Sequence, residues 1–260
     1  MFDRIARKLF RSRRRGRRTR LDGVLGQIRE QGFLPQTVID VGAAYGDFAV
    51  NCCEHFPAAR YVVIEALQEY SQALKELASG QPNMLFVSAA AAAADGEITI
   101  NVHDDLVGSS LYLEQEDSSV NGVPRSVKSV ALDTLRQQHA LEPPYLLKID
   151  VQGAELDVLA GAQRLLQGAD YILLEVSLFE FFAGGPQFHE VIAWMHQHGF
   201  AAYDISGLQY RPLDGALSQV DISFVRNDGR FREHHYYATR EQREAQDRSL
   251  ERRRGGGSGG

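Results

Sequence analysis

Residues 37–48 read TVIDVGAAYGDF, and the fold class follows from how this stretch is read. Thr37-Val38-Ile39 is a short β-branched run suited to a buried strand. Asp40 stands near its end. Gly42-Ala43-Ala44-Tyr45-Gly46 follows, then a helix-like segment from Asp47 to Phe56. Strand, glycine turn and helix is how an α/β sheet builds a nucleotide or cofactor pocket at the carboxyl end of its first strand. The glycines are expected there because a Cβ would keep the backbone from approaching a ligand. Their spacing is G-x-x-x-G, whereas a dinucleotide site reads G-x-G-x-x-G. An acid two residues before the first glycine is poorly suited to a pyrophosphate. It suits a cationic ligand such as the amino acid part of S-adenosylmethionine. A tight turn that binds nothing has the same local pattern.

Downstream, strands and helices alternate. Arg60–Glu65 (RYVVIE) reads as a second strand whose terminal Glu65 lies about 20 residues past the glycine turn, where an acid accepts hydrogen bonds from both ribose hydroxyls. A solvated strand-end acid would look alike. Asn83–Ala89 is a third strand, and the small residues after it leave room for an adenine near Ser88 and Ala89, or for tight helix-to-sheet packing. Glu97–His103 alternates and is expected to pair with Ser126–Leu132. Between them, Asp104–Arg125 is a polar loop containing Gly108-Ser109-Ser110-Leu111, either a functional lid or plain surface. Tyr145–Asp150 and Tyr171–Val176 are the fourth and fifth core strands. As neighbours of the first strand they would bring Asp40, Asp150 and Glu175 to one rim, with Glu155 close by. Gathered carboxylates call for a cation, a base role or a sugar's hydroxyls, unless each faces water separately.

Helices are expected over Leu21–Gly32, Gln68–Ser79, Asp133–His139, Ala154–Gln167 and Phe188–His198. Phe200–Ile205 and Val220–Val225 read as an antiparallel hairpin with a loop of roughly 14 residues. The sheet would then have seven strands, the last reversed.

The net charge of −6 hides an asymmetry. Ten Lys/Arg against Asp3 give residues 1–20 a charge of +9, so the rest of the chain carries −15. This arm, with Phe2, Ile5, Leu9 and Phe10 near helical spacing, could lie on anionic lipid, neutralise nucleic acid phosphates or hang free in solvent. No aromatic-rich basic surface further along supports specific nucleic acid binding. The adjacent Cys52 and Cys53 point about 100° apart on a helix and are not expected to bridge. No apolar run approaches the roughly 20 residues of a membrane span, so a cytoplasmic setting is expected, with the membrane surface as the alternative. The eight His are scattered without zinc-ligand spacing.

VIDVGAAYGDF, VVIEA, GSSL, LLKIDVQGAELDVLAGA and LLEVS together resemble the FkbM-like family of S-adenosylmethionine-dependent methyltransferases, over about residues 38–225. The most specific part is Lys148-Ile149-Asp150-Val151-Gln152-Gly153-Ala154-Glu155 with Leu159 and Gly161-Ala162. The resemblance implies an α/β, Rossmann-like, seven-stranded methyltransferase fold. Its sheet would be mostly parallel with an antiparallel last strand, and helices would cover both faces. It implies methyl transfer, usually to a hydroxyl oxygen, here of a small molecule or glycan. Asp40, Gly42, Ala43 and Gly46 would hold the methionine part of the cofactor, and Glu65 the ribose, with Ser88 and Ala89 near the adenine. Asp150 would stand at the reaction centre, supported by Lys148 or Glu175, and Ser109 and Ser110 would close the lid near Glu155. Related small-molecule enzymes place a divalent metal on this rim, but their acid-Asn pair is replaced here by Glu175-Val176-Ser177, which argues against one. The expected organisation is a basic, disordered arm over 1–20, a methyltransferase domain over 21–232, a charged tail with a frayed helix over 233–254 and a Gly/Ser linker over 255–260. The rival reading is a methyltransferase-shaped binding module without chemistry, tethered by the arm.

Overall fold

The structure, a computed structural model, describes residues 19–116 and 120–255. The first elements among the described residues are α1 (Leu21–Glu30), β1 (Thr37–Val41), α2 (Asp47–His55), β2 (Arg60–Glu65), α3 (Gln68–Ser79) and β3 (Met84–Ser88). Next come β4 (Ala90–Ala91), β5 (Gly96–Val102), β6 (Val123–Val130), α4 (Leu132–Gln138) and β7 (Tyr145–Ile149). It continues with α5 (Glu155–Ala160), β8 (Ala169–Ser177), α6 (Phe188–Gln197), β9 (Phe200–Tyr210), β10 (Leu217–Arg226) and α7 (Arg240–Gly255). Residues 1–18 of the basic arm and 256–260 of the linker lie outside the described residues.

Seven strands form one sheet in the order β3-β2-β1-β7-β8-β10-β9. The first five are parallel, and β10 runs against both of its neighbours. This is the expected mostly parallel α/β sheet with a reversed last strand. Successive side chains of a strand face opposite ways, so each strand feeds two cores. Val38, Tyr61, Val63, Leu146 and Tyr171 pack with α1, α2 and α3 on one face. Ile39, Val62, Leu147, Ile172 and Phe224 pack with α4, α5 and α6 on the other. Among the described residues no helix is long and apolar enough to cross a membrane.

A second, three-stranded sheet has the order β4-β6-β5. The expected pairing of β5 with β6 is present, antiparallel, in the register Gly96↔Ser129 to Val102↔Val123. The alanine run supplies β4, which pairs parallel with β6.

Two expectations need correction. The helix expected over Ala154–Gln167 is divided into α5 and a 3-10 turn at Leu165–Gly168. Gly161 lies so close to the Ala92 carbonyl that a Cβ would overlap it. The chain is then recaptured by Asp133, whose carboxylate accepts from the Arg164 and Leu165 N–H groups at 2.7–3.0 Å. The hairpin loop is residues 211–216, shorter than the roughly 14 residues expected from strand patterning. Its alternation is hidden by a bulge: Ser206 pairs with Asp221 and Gln209 with Gln219, leaving Gly207 and Leu208 opposite one residue. Gly207 has φ +58°, and a Cβ there would overlap the Asp221 carboxylate.

Candidate active site

The carboxyl ends of β1, β2, β7 and β8 open onto a cavity of about 390 Å³. This is within the size of small-molecule sites, roughly 300–1,000 Å³. Its wall takes residues from the β1 turn (Gly42, Ala44), the end of β2 (Glu65), the alanine run (Ala89, Ala90, Ala91) and the β7 loop (Asp150, Gln152). The strap between β5 and β6 adds Leu106, Val107, Ser109, Ser110 and Leu111, and Glu175, Gln209 and Gln219 complete the far end.

The glycine turn is shaped by the protein itself. Gly42 has φ +71°, and a Cβ would overlap the carbonyl oxygen of Asp150 on the neighbouring strand. The close approach expected toward a ligand is therefore made first toward β7. At the β2 end, the Ala44 N–H donates to Glu65 Oε2 (2.9 Å) and the Leu67 N–H to Oε1 (2.8 Å). Burial raises the Glu65 pKa, and these N–H donors oppose the shift.

β1 and β7 are in register, Asp40 opposite Lys148, so both side chains leave the same face. Asp40 is buried, 1% exposed, beneath the cavity wall. Its Oδ1 lies 3.6 Å from Lys148 Nζ, which donates to the Gly42 carbonyl (3.2 Å) and reaches Asp150 Oδ2 (3.2 Å). Burial pushes the Lys148 pKa down, but Asp150 and Asp40 outweigh it and the net shift is upward. Burial also raises Asp40, against the pull of Lys148.

Gln152, at φ +53°, links the two acids of the far end. Its Nε2 donates to Asp150 Oδ1 (3.2 Å) and Glu175 Oε2 (2.9 Å). Glu175 also accepts from Gln209 Nε2 at Oε1 (2.7 Å) and Gln219 Nε2 at Oε2 (3.0 Å). Burial, then Asp150, Asp221 and Glu155, pushes Glu175 up to about 8. Asp221, opposite Glu175 on β10, is pushed up to about 6 by burial and Asp150.

Of the site residues expected from sequence, Gly42, Glu65, Ala89, Ser109, Ser110, Asp150 and Glu175 line the cavity. Asp40, Ala43, Gly46, Ser88, Lys148 and Glu155 lie outside its wall. Ser88 is exposed at the end of β3. Glu155 is buried and accepts from the Val151 and Gly153 N–H groups, which holds the β7 loop in place. Burial raises it to about 7. Ser110 ties the strap down: its Oγ donates to the Gln152 carbonyl (2.6 Å). Ser109 Oγ accepts from the His103 N–H (3.1 Å). Sequence reasoning missed Gln152, Gln209, Gln219 and Asp221. Gln152 was signalled by its place in the 148–155 motif, and Gln219 and Asp221 by their period-two spacing with Ser223, which puts them on one face of a strand. Among the described residues, no three His, Cys, Asp or Glu side chains are placed to hold one metal ion.

Several solved structures are similar to this chain. A methyltransferase FkbM from Methylobacillus flagellatus is 13% identical with a TM-score of 0.44; the match covers 72% of this chain and 43% of that one. This chain therefore spans less than half the length of that protein. Aeropyrum pernix fibrillarin, solved with natively bound S-adenosyl-L-methionine, is 14% identical (TM-score 0.43; 74% and 67% covered). A Burkholderia thailandensis 1,6-didemethyltoxoflavin-N1-methyltransferase with bound S-adenosylhomocysteine is 13% identical (TM-score 0.44; 87% and 89% covered). No curated protein sequence matches the chain. The model of the methyltransferase FkbM domain matches residues 40–202, from the acid of the first strand to the start of β9, and the chain belongs to that family.

Proposed function

We propose that this chain is an S-adenosylmethionine-dependent methyltransferase acting on a hydroxyl oxygen of a small molecule or glycan. The observation that carries this reading is the charge of the cavity wall. Glu65, Asp150 and Glu175 contribute three carboxyl groups, and among the described residues no Lys, Arg or His lines it. A diphosphate would meet no counter-charge there, whereas a sulfonium and an ammonium would. The residues present fit the cofactor: Glu65 lines the cavity, and a carboxylate has the acceptor capacity for a pair of vicinal hydroxyls beside its backbone donors. The small side chains of Ala89–Ala91 leave space for a flat ring. When bound, the cofactor supplies a methyl group on positively charged sulfur.

The chain's own part is to orient the acceptor and take its proton. Asp150 is the acid able to do so, because its side chain is 31% exposed at the cavity. Lys148 holds Oδ2 and Gln152 holds Oδ1, which fixes the carboxylate and leaves a lone pair for the acceptor hydroxyl. Glu175 shares the Gln152 amide, and its raised proton affinity keeps a proton on it, so it supports Asp150 by fixing Gln152 rather than by receiving the acceptor's proton. The strap, tied down through Ser110, forms one wall of the cavity.

Two measurements test this. S-adenosylhomocysteine is expected to raise the melting temperature and NAD to leave it unchanged; the reverse would overturn the cofactor assignment. Asp150→Asn is expected to bind S-adenosylhomocysteine within about twofold of the parent and to lose about 10²-fold or more in methyl release against hydroxylated acceptors. Unchanged turnover would remove the role given to Asp150.

A further inference from the structure

The rim that carries the cavity mouth also carries exposed apolar side chains. Val107 on the strap is 67% exposed, and Tyr45 in the β1 turn 63%. At the β9–β10 tip, Leu208, Tyr210 and Leu213 are 44%, 62% and 83% exposed. β9 is the edge of the sheet, and its carboxyl end, like the ends of β1 and β7, points to this rim. Gln209, between two of these apolar residues, lines the cavity itself. The tip presents no uncompensated acid, because Arg211 holds Asp214 through two hydrogen bonds of 2.9 and 2.6 Å.

The basic arm is rooted at the same place. The bulge at Gly207-Leu208 frees the Gly207 N–H from the sheet, and it donates to the Thr19 carbonyl (3.2 Å). Residues 1–18, which precede that contact, hold nine Lys/Arg against Asp3, together with Phe2, Ile5, Leu9 and Phe10. The body behind them is strongly acidic. The arm is the densest positive charge in the chain, so an anionic surface attracts the molecule most strongly where the arm is attached. Asp104 and Asp105 on the strap are exposed, and the charge of the arm outweighs theirs.

We propose that this rim is a docking face for an anionic lipid bilayer. The arm supplies the electrostatic attraction, and Leu208, Tyr210 and Leu213 enter the interface. Basic residues near such a surface attract it additively, and apolar side chains that enter the headgroup region add area burial. Docked this way, the protein faces its cavity mouth toward the membrane, where an amphipathic acceptor with a lipid tail can present its head without leaving the bilayer. The binding part of this inference is independent of the proposed chemistry.

The test is co-sedimentation of the full chain with phosphatidylcholine vesicles, with or without about 30% phosphatidylserine, at about 0.1 M salt. The protein is expected to pellet with the anionic vesicles only and to be released by high salt. Deleting residues 1–18 should lower partitioning about tenfold or more. L208S/Y210S/L213S, with the arm intact, should lower it severalfold while leaving S-adenosylhomocysteine binding unchanged. Equal pelleting with neutral vesicles, or by the deleted chain, would overturn the proposal. So would a tip variant that binds like the parent, since the arm alone would then explain the attraction. Duplex DNA that strips the protein from vesicles and binds it more tightly would assign the arm to nucleic acid instead.

Discussion

Lys148 holds the floor of the site together. Its ammonium joins Asp40, Asp150 and the Gly42 carbonyl, and so locks the glycine turn of β1 to the end of β7. The sequence marked Lys148 and both acids, but it could not say that Asp40 is sealed under the turn and Asp150 open to the cavity. That division depends on which strands are neighbours and in what register, which no local pattern encodes. Removing one partner of a buried ionic group strands the other in low dielectric. Lys148→Met is therefore expected to destabilise the protein by about 3 kcal/mol in urea denaturation, and adding Asp40→Asn should recover part of the loss. A single-variant loss under about 1 kcal/mol would mean that Asp40 is not charged in the native state.

The parallel strands were legible as short, mostly apolar runs, four of them with a glycine or an acid at or next to the end. The hairpin was legible only at its outer ends. The bulge at Gly207 interrupts the alternation, and the polar residues beyond it look like loop. Yet those residues reach into the site: Gln209 and Gln219 bond to Glu175 across 34 and 44 positions of sequence. Both lie beyond the residues that the family model matches, so β9 and β10 tune a carboxyl that belongs to the shared domain. Amide donors stabilise the ionised form of a carboxyl, and their loss favours the proton. The double variant Gln209→Ala, Gln219→Ala should raise the Glu175 pKa by about one unit, read from carboxyl carbon shifts in an NMR titration. An unchanged value would mean that the two amides position the strand ends without affecting the charge.

Taken together, the chain buries several acids in one region of an acidic body, and this sets how its stability varies with pH. Glu175, Glu155 and Asp221 are raised to about 8, 7 and 6, chiefly by burial, from ordinary values near 4. The folded chain thus holds protons that the unfolded chain has already released. Such groups contribute fully below their unfolded pKa values, and the contribution is lost as pH rises through the folded ones. The acidic body adds self-repulsion in the same direction. Stability in urea is therefore expected to fall by on the order of 3 kcal/mol between about pH 5 and pH 8. Glu175→Gln keeps the shape and several hydrogen bonds of the side chain while removing its titration, so it should flatten that slope and leave the variant the more stable of the two at pH 8. A variant with the slope of the parent would show that the protons are held elsewhere in the cluster, on Glu155 or Asp221.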